Sequence, residues 1–128
     1  MKAFFDSNIL IDFLKGFEEA KVEIERHRIR QISRISWMEV LVGAVRHQTG
    51  ESASSTESAT RAFLDSFECV ELDRAVADRA VELRQRFKLR LPDAIIWASA
   101  QVEDAVLVTR NTRDFPEAAV DVRVPYRR

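Results

Sequence analysis

The 128-residue sequence is poor in cysteine and has no long hydrophobic run. Its single cysteine, Cys69, excludes an internal disulfide and is typical of a reducing compartment. No segment approaches the roughly eighteen consecutive apolar residues of a membrane span. The first acid, Asp6, comes too early for a secretory signal peptide. The sequence therefore predicts a single domain over residues 1–128, in the cytoplasm and with no part in a membrane.

Several common catalytic motifs are also absent. The sequence contains no Gly-x-x-x-x-Gly-Lys-Ser/Thr loop, which argues against P-loop nucleotide binding. It has no Gly-x-Ser-x-Gly nucleophile elbow. His27 and His47 do not have the spacing of a zinc motif. The formal net charge of −1 provides no overall basic field that would attract nucleic acid.

Four acidic residues lie in surroundings where solubility alone does not explain a carboxylate. Asp6 follows AFF at 3–5, Glu39 lies inside WMEVLV at 37–42, Asp93 opens DAIIWA at 93–98, and Asp114 follows AVLV at 105–108. Removing a carboxylate from water costs on the order of several kcal/mol unless it is paired or binds a metal. Bland roles remain open for single residues: Asp6 as a helix cap, Asp93 as a partner of a helix dipole, Asp114 as a turn residue. Glu39 is the hardest to explain in this way, because the apolar residues on all sides of its helix predict that the helix is buried on most sides.

The pattern of apolar residues predicts strands that alternate with helices. We expect strands over 2–6, 29–35, 69–72, 105–109 and 120–124, and helices that start after Ser7 and Asn8, over 17–27, from Ser36 to about 47, over 57–67, from Asp73 to 87, and from Pro92 to about 102. The polar segment 50–58 is expected to be a loop or a helix lead-in and the most flexible part of the chain. This alternation predicts an α/β sandwich around a mostly parallel sheet.

In such a sheet, ligands bind at the carboxyl ends of the strands. Asp6 ends the first strand and Asp114 follows the 105–109 strand, so both belong to that edge. Glu39 and Asp93 lie near the starts of helices, which face the same edge. Carboxylates without His or Cys partners are ligands for Mg²⁺ or Mn²⁺, which favours chemistry on phosphate.

Four segments, each with one of these acids, resemble the PIN-domain family and, within it, the VapC-type toxins of bacterial toxin–antitoxin pairs. They are FFDSNILIDFL at 4–14, SWMEVLVGA at 36–44, LPDAIIWASA at 91–100 and LVTRNTRDF at 107–115. They occur in the expected order and extend over nearly the whole chain. The resemblance implies a three-layer α/β/α sandwich with a sheet of four to five strands.

The resemblance also implies a metal-dependent endoribonuclease. In that case Asp6, Glu39, Asp93 and Asp114 hold one or two Mg²⁺ or Mn²⁺ ions and form the catalytic site. Ser7, Asn8, Thr109 and Asn111 are then supporting groups that orient the acids or the substrate. Ser7 and Asn8 also suit a helix cap, and Asn111 also suits a turn.

Basic residues near the acids are the candidates for RNA binding. These are Arg110 and Arg113 beside Asp114, and Lys88 and Arg90 before Asp93, all of which could equally be solvated surface charges. A further basic tract, Arg26, Arg28, Arg30 and Arg34, has no predicted position. The resemblance implies a homodimer and a small antitoxin partner. Ile9, Phe13, Phe17 and Ile24 are either a groove for that partner or core residues.

Two other functions remain open at this point. One is a haloacid-dehalogenase-type phosphatase, which also begins with an acid after a strand. That chemistry requires Asp-x-Asp, and Asn8 stands in place of the second acid. The other is a catalytically silent RNA- or protein-binding module on the same scaffold, which the complete set of four acids argues against.

Overall fold

A computed structural model of the chain describes residues 1–116 and 119–127. Its elements are β1 Lys2–Phe5, α1 Ser7–Leu14, α2 Glu18–Glu25, β2 Ile29–Ser33, α3 Arg34–Val45, α4 Gly50–Asp65, β3 Glu68–Val70, α5 Arg74–Phe87, α6 Leu91–Val102, β4 Val106–Val108 and β5 Val122–Arg123. The strands form one sheet in the order β3-β2-β1-β4-β5. Every neighbouring pair is parallel. The predicted α/β fold with a sheet of four to five strands is confirmed.

The sheet separates two hydrophobic cores, because successive side chains of a strand point to opposite faces. Phe4 and Leu107 pack against α5 and α6 on one face. Ala3, Phe5 and Val108 pack against α1, α3 and α4 on the other face. Helices therefore cover both sides of β1 and β4, which gives the three layers that the sequence predicts.

Two predicted elements differ from the structure near α3 and α4. Ser33, not Ser36, is the N-cap of α3, where its hydroxyl accepts a hydrogen bond from the backbone N–H of Ile35. The segment 50–58, predicted as a loop or helix lead-in, lies within α4. Its serines and threonines have weak intrinsic helix propensity, and Thr60 and Leu64 anchor the same helix to the core. Burial of that face therefore outweighs local propensity.

The sequence leaves open whether four apolar residues line a groove for a partner or belong to the core. Two of them belong to the core. Ile9 and Ile24 are buried in the layer that contains α1 and α3. Phe13 is partly buried and stacks on Phe63 of α4, with ring centroids 4.6 Å apart. Within residues 1–116 and 119–127, no helix combines the length and apolar character that a bilayer crossing requires. The prediction of a single domain stays a prediction.

Candidate active site

Asp6 lies at the carboxyl end of β1, where the chain turns into α1. It is the N-cap of α1, and its Oδ1 accepts a hydrogen bond of 2.7 Å from the backbone N–H of Ser7. Its Oδ2 accepts from the Thr109 hydroxyl at 2.8 Å and from Asn8 Nδ2 at 3.3 Å. Only 5% of the residue is exposed. The sheet thus places a nearly buried carboxylate between two central strands.

Burial raises the pKa of Asp6 from 3.8 to about 6. The hydrogen bonds from Thr109 and Ser7 act in the opposite direction, because they stabilise the charged form. The negative charges of Asp93 and Glu39 contribute to the upward shift, and the pKa of about 6 is the net result of all these effects. Three of the four predicted acids are therefore electrostatic neighbours at this edge.

Glu39 reaches the site from α3, but not from a buried helix. Its side chain is exposed, and so are Met38 and Val42 beside it, at 48% and 62%. The prediction that this helix is buried on most sides is wrong, since α3 presents one face to solvent. Glu39 instead contacts the site through Ser7, whose hydroxyl lies 2.9 Å from Glu39 Oε1. The same hydroxyl lies 2.9 Å from Ser36 Oγ.

Asp93 stands in the first turn of α6, which begins with Leu91 and Pro92. Its Oδ2 accepts a hydrogen bond of 3.3 Å from Arg90 Nε. Burial raises the pKa of Asp93, the charge of Arg90 lowers it, and the charges of Asp114 and Glu39 raise it. Asp93 is therefore close enough to Asp114, as well as to Glu39 and Asp6, for their charges to interact.

Asp114 is held in the segment after β4 by Asn111. Asn111 Nδ2 donates to Asp114 Oδ2 at 2.9 Å, and Asn111 Oδ1 accepts from the Asp114 backbone N–H at 3.2 Å. The backbone N–H of Asn111 in turn donates to Thr109 Oγ1 at 3.0 Å. A continuous hydrogen-bonded path therefore runs from Asp114 back to Asp6.

The structure places all four predicted supporting residues in contact with the acids or with one another. Ser7 contacts Asp6 and Glu39, Asn8 and Thr109 contact Asp6, and Asn111 contacts Asp114. Asn8 Nδ2 also lies 3.3 Å from Thr109 Oγ1. Their predicted role in orienting the acids stays a prediction.

The chemistry of the acidic edge fits a hard divalent cation. Its four anionic groups offer only oxygen donors, and the cationic partner described among them is Arg90 on Asp93. In the described part of the chain, no three acidic, His or Cys groups already form a metal-binding cluster. Burial is the main cause of the raised pKa of Asp6 and of Asp93, and repulsion between the carboxylates adds to it. A bound cation would stabilise the charged forms against both effects.

The four predicted RNA-binding residues differ in how far they are engaged within the chain. Arg110 makes an ion pair with Asp12, with Nε–Oδ2 at 2.7 Å and Nη2–Oδ1 at 3.2 Å. Arg90 contacts Asp93. Arg113 and Lys88 are exposed, and Lys88 ends α5 in a left-handed conformation. RNA binding by these residues stays a prediction.

The basic tract makes mostly structural contacts. Arg34 pairs with Glu71, and Arg26 lies 3.5 Å from Glu23. Arg30 donates to the backbone carbonyl of His27 at 2.7 Å. Three of the four arginines of the tract are therefore engaged by groups of the chain itself.

Sequence reasoning missed two buried acids outside this set. Asp12 on α1 is 1% exposed and also accepts a hydrogen bond of 2.8 Å from the Tyr126 hydroxyl. Glu23 on α2 is 3% exposed and binds Arg123 of β5. A signal existed for Asp12, which lies between Ile11 and Phe13 in an apolar helix.

The fold and the edge together define a parallel α/β domain with carboxylates at the ends of its strands. A PIN-domain family model matches residues 3–121. The chain belongs to the PIN-domain family. The resemblance of the four sequence segments is thereby confirmed, and the haloacid-dehalogenase alternative is not supported.

Several solved structures are similar to the chain. One, from a toxin–antitoxin complex of Klebsiella pneumoniae, is 43% identical with a TM-score of 0.87, and the match covers 98% of this chain and 99% of the other. FitAcB from Neisseria gonorrhoeae is 21% identical with a TM-score of 0.83, over 96% and 97%. DNA-bound VapBC from Salmonella typhimurium is 23% identical with a TM-score of 0.78, over 96% of each chain. No curated protein matched.

Proposed function

We propose that the chain is a VapC-type toxin that acts as a metal-dependent endoribonuclease. The observation that carries this proposal is the buried Asp6 carboxylate, whose pKa is raised by burial and by the neighbouring acids Asp93 and Glu39. Membership of the PIN-domain family supports it. The similarity to a Klebsiella toxin–antitoxin complex at 43% identity supports the toxin role.

Asp6, Glu39, Asp93 and Asp114 would hold one or two Mg²⁺ or Mn²⁺ ions. When bound, such a cation lowers the pKa of a coordinated water and neutralises charge on phosphate oxygens. Thr109 and Ser7 fix the two oxygens of Asp6 through hydrogen bonds, so that carboxylate has a set orientation. The reaction is hydrolysis of an RNA phosphodiester bond by an in-line water.

Arg113 and Lys88 are the two of the four predicted basic residues with no described carboxylate partner, which favours them as contacts for RNA phosphates. Both side chains are exposed, whereas the guanidinium groups of Arg90 and Arg110 are engaged by carboxylates within the chain. A phosphate contact adds affinity without reading the base sequence. The RNA target is therefore set by other groups.

A small antitoxin is the proposed protein partner, and the active form is a homodimer. Among the similar structures described above, the one from Klebsiella pneumoniae is a toxin–antitoxin complex. One of them, from Salmonella, is bound to DNA. A cytoplasmic location follows from this proposal, because the RNA substrate is found there.

The central test is cleavage of structured RNAs by the purified protein with Mg²⁺ or Mn²⁺. We expect cleavage by the natural chain, and its loss on chelation or in the Asp6→Asn variant. Asp78→Asn is the matched control, because Asp78 is exposed on α5 and pairs only locally with Arg74. Cleavage that survives both chelator and Asp6→Asn would rule out the metal mechanism. Binding of RNA without cleavage would instead favour a silent binding module.

A further inference from the structure

Asp12 is a second buried carboxylate close to the candidate site, with a different set of partners. It is 1% exposed and lies on α1, six residues beyond Asp6. Both of its oxygens bind the guanidinium of Arg110, and Oδ2 also accepts from the Tyr126 hydroxyl. A two-point contact of this kind fixes the orientation of the arginine as well as its position.

This ion pair makes Arg110 a poor candidate for binding RNA phosphate. To reach a phosphate, the guanidinium would have to leave Asp12, which would leave a buried charge with one fewer partner. The side chain of Arg110 is 32% exposed and that of Asp12 is 1% exposed. Arg110 therefore binds a buried carboxylate of the protein, whereas the sequence predicts that it binds RNA.

Arg110 also connects Asp12 to the acids through its own backbone. Its backbone N–H lies 3.4 Å from Asn8 Oδ1. The preceding residue, Thr109, donates to Asp6, and Thr109 Oγ1 accepts from the backbone N–H of Asn111. Asn111 then holds Asp114. Fixing Arg110 on α1 thus fixes the whole segment that carries Thr109 and Asp114.

We propose that Asp12 is a positioning residue, which acts through Arg110 to hold the 109–114 segment in register with Asp6. This inference rests on the proposed metal-dependent activity. It assigns no contact with RNA to Arg110. Removal of the pair is expected to weaken divalent-cation binding and turnover while RNA affinity is retained.

The structure provides a second buried ion pair that serves as a control. Glu23 on α2 is 3% exposed and binds Arg123 in two-point fashion, with Nε–Oε2 at 2.8 Å and Nη2–Oε1 at 3.0 Å. No side-chain contact of this pair with the four acids is described, and its link to the candidate site is a backbone one: the Arg123 carbonyl accepts a hydrogen bond of 3.0 Å from the Thr109 N–H. Glu23→Gln therefore removes a comparable buried ion pair by a side-chain change that leaves the backbone hydrogen bond between β5 and Thr109 in place.

The test compares Asp12→Asn, Arg110→Ala, Arg110→Lys and Glu23→Gln in full-length protein. For Asp12→Asn and Arg110→Ala we expect kcat to fall about 10–100-fold, with KM for RNA within about twofold. Mn²⁺ binding, followed by electron paramagnetic resonance of the free ion, should weaken about 10-fold. Arg110→Lys keeps the charge but only one contact point, so its losses should be intermediate. Glu23→Gln should leave kcat and Mn²⁺ binding within about twofold of the natural chain.

Two results would overturn the inference. One is a raised KM with unchanged kcat and Mn²⁺ binding in Arg110→Ala, which would make Arg110 an RNA contact. The other is an equal loss of Mn²⁺ binding in Glu23→Gln, which would make the effect one of general stability. Should Asp12→Asn fail to fold, Arg110→Ala and Arg110→Lys decide the question. If the natural chain cleaves no RNA, the proposed activity fails, and Mn²⁺ binding still tests the positioning role.

Discussion

At the scale of single residues, Asp6 is a carboxylate that burial makes costly to ionise. Its neighbours offset only part of that cost. Thr109 and Ser7 stabilise the carboxylate by hydrogen bonds, whereas Asp93 and Glu39 repel it. The net result is a carboxyl group whose pKa is raised to about 6. Without a cation, the charged form of Asp6 therefore destabilises the folded protein at neutral pH.

Replacing Asp6 by Asn should stabilise the metal-free protein at neutral pH. Because the folded pKa is raised, the contribution of Asp6 to stability is fully present below pH 3.8 and is lost as the pH rises through about 6. We expect Asp6→Asn to increase the free energy of unfolding by roughly 1–3 kcal/mol at pH 7.5 and by much less near pH 4. Urea denaturation in the presence of a chelator measures both values. A variant equally destabilised at the two pH values would contradict this account.

The same carboxyl group predicts how activity depends on pH and magnesium. Protons compete with the cation for Asp6, so cleavage should fall as the pH drops through about 6. A higher Mg²⁺ concentration should move the midpoint to lower pH. Rates measured across pH at two Mg²⁺ concentrations provide the check. A midpoint that does not move with Mg²⁺ would assign the titration to another group.

At the scale of elements, the sequence predicts best where local pattern and burial agree. Asp73 caps α5 as predicted, since its Oδ1 accepts from the backbone N–H of Val76 at 3.0 Å. Pro92 lies in the first turn of α6, also as predicted. The four acids lie at one edge of the sheet, because the carboxyl ends of parallel strands and the N-terminal ends of the helices that follow them are at the same edge. That much could be predicted from the order of strands and helices alone.

The sequence predicts poorly where long-range contacts decide. The polarity of segment 50–58 indicates a loop, but packing of the Thr60 face makes it helical. The solvent-exposed face of α3 around Glu39 was missed because Met38 and Val42 are apolar. The Asp12–Arg110 pair joins residues that are 98 positions apart, so no local sequence pattern predicts it.

The helical state of segment 50–58 can be tested by proline. Ser55 is exposed in the interior of α4, so its side chain contributes little packing. Ser55→Pro should destabilise the protein by about 3 kcal/mol, because it removes a helical hydrogen bond and clashes with the preceding turn. Ser55→Ala should instead stabilise it by a few tenths of a kcal/mol, as roughly expected from helix propensity. Urea denaturation of both variants is the measurement, and a harmless proline would indicate a loop.

At the scale of the whole molecule, the net charge of −1 gives RNA no general attraction. Binding must therefore depend on local basic residues such as Arg113. Arg113→Gln should raise KM while kcat is retained, and should reduce the slope of log affinity against log salt by about 0.7 for single-stranded RNA. Filter binding at several salt concentrations measures the slope. Lys15→Gln, at an exposed position at the end of α1, is the control and should leave it unchanged.

The pairing of β1 with β4 determines when the candidate site can form during synthesis of the chain. Ala3 and Phe5 of β1 pair with Val106 and Val108, about a hundred positions later in the chain. Thr109 and Asp114 follow directly, so Asp6 has only part of its surroundings while the ribosome is still translating the earlier helices. Under the proposed function, the nascent chain would have no complete active site until β4 and the segment after it have emerged.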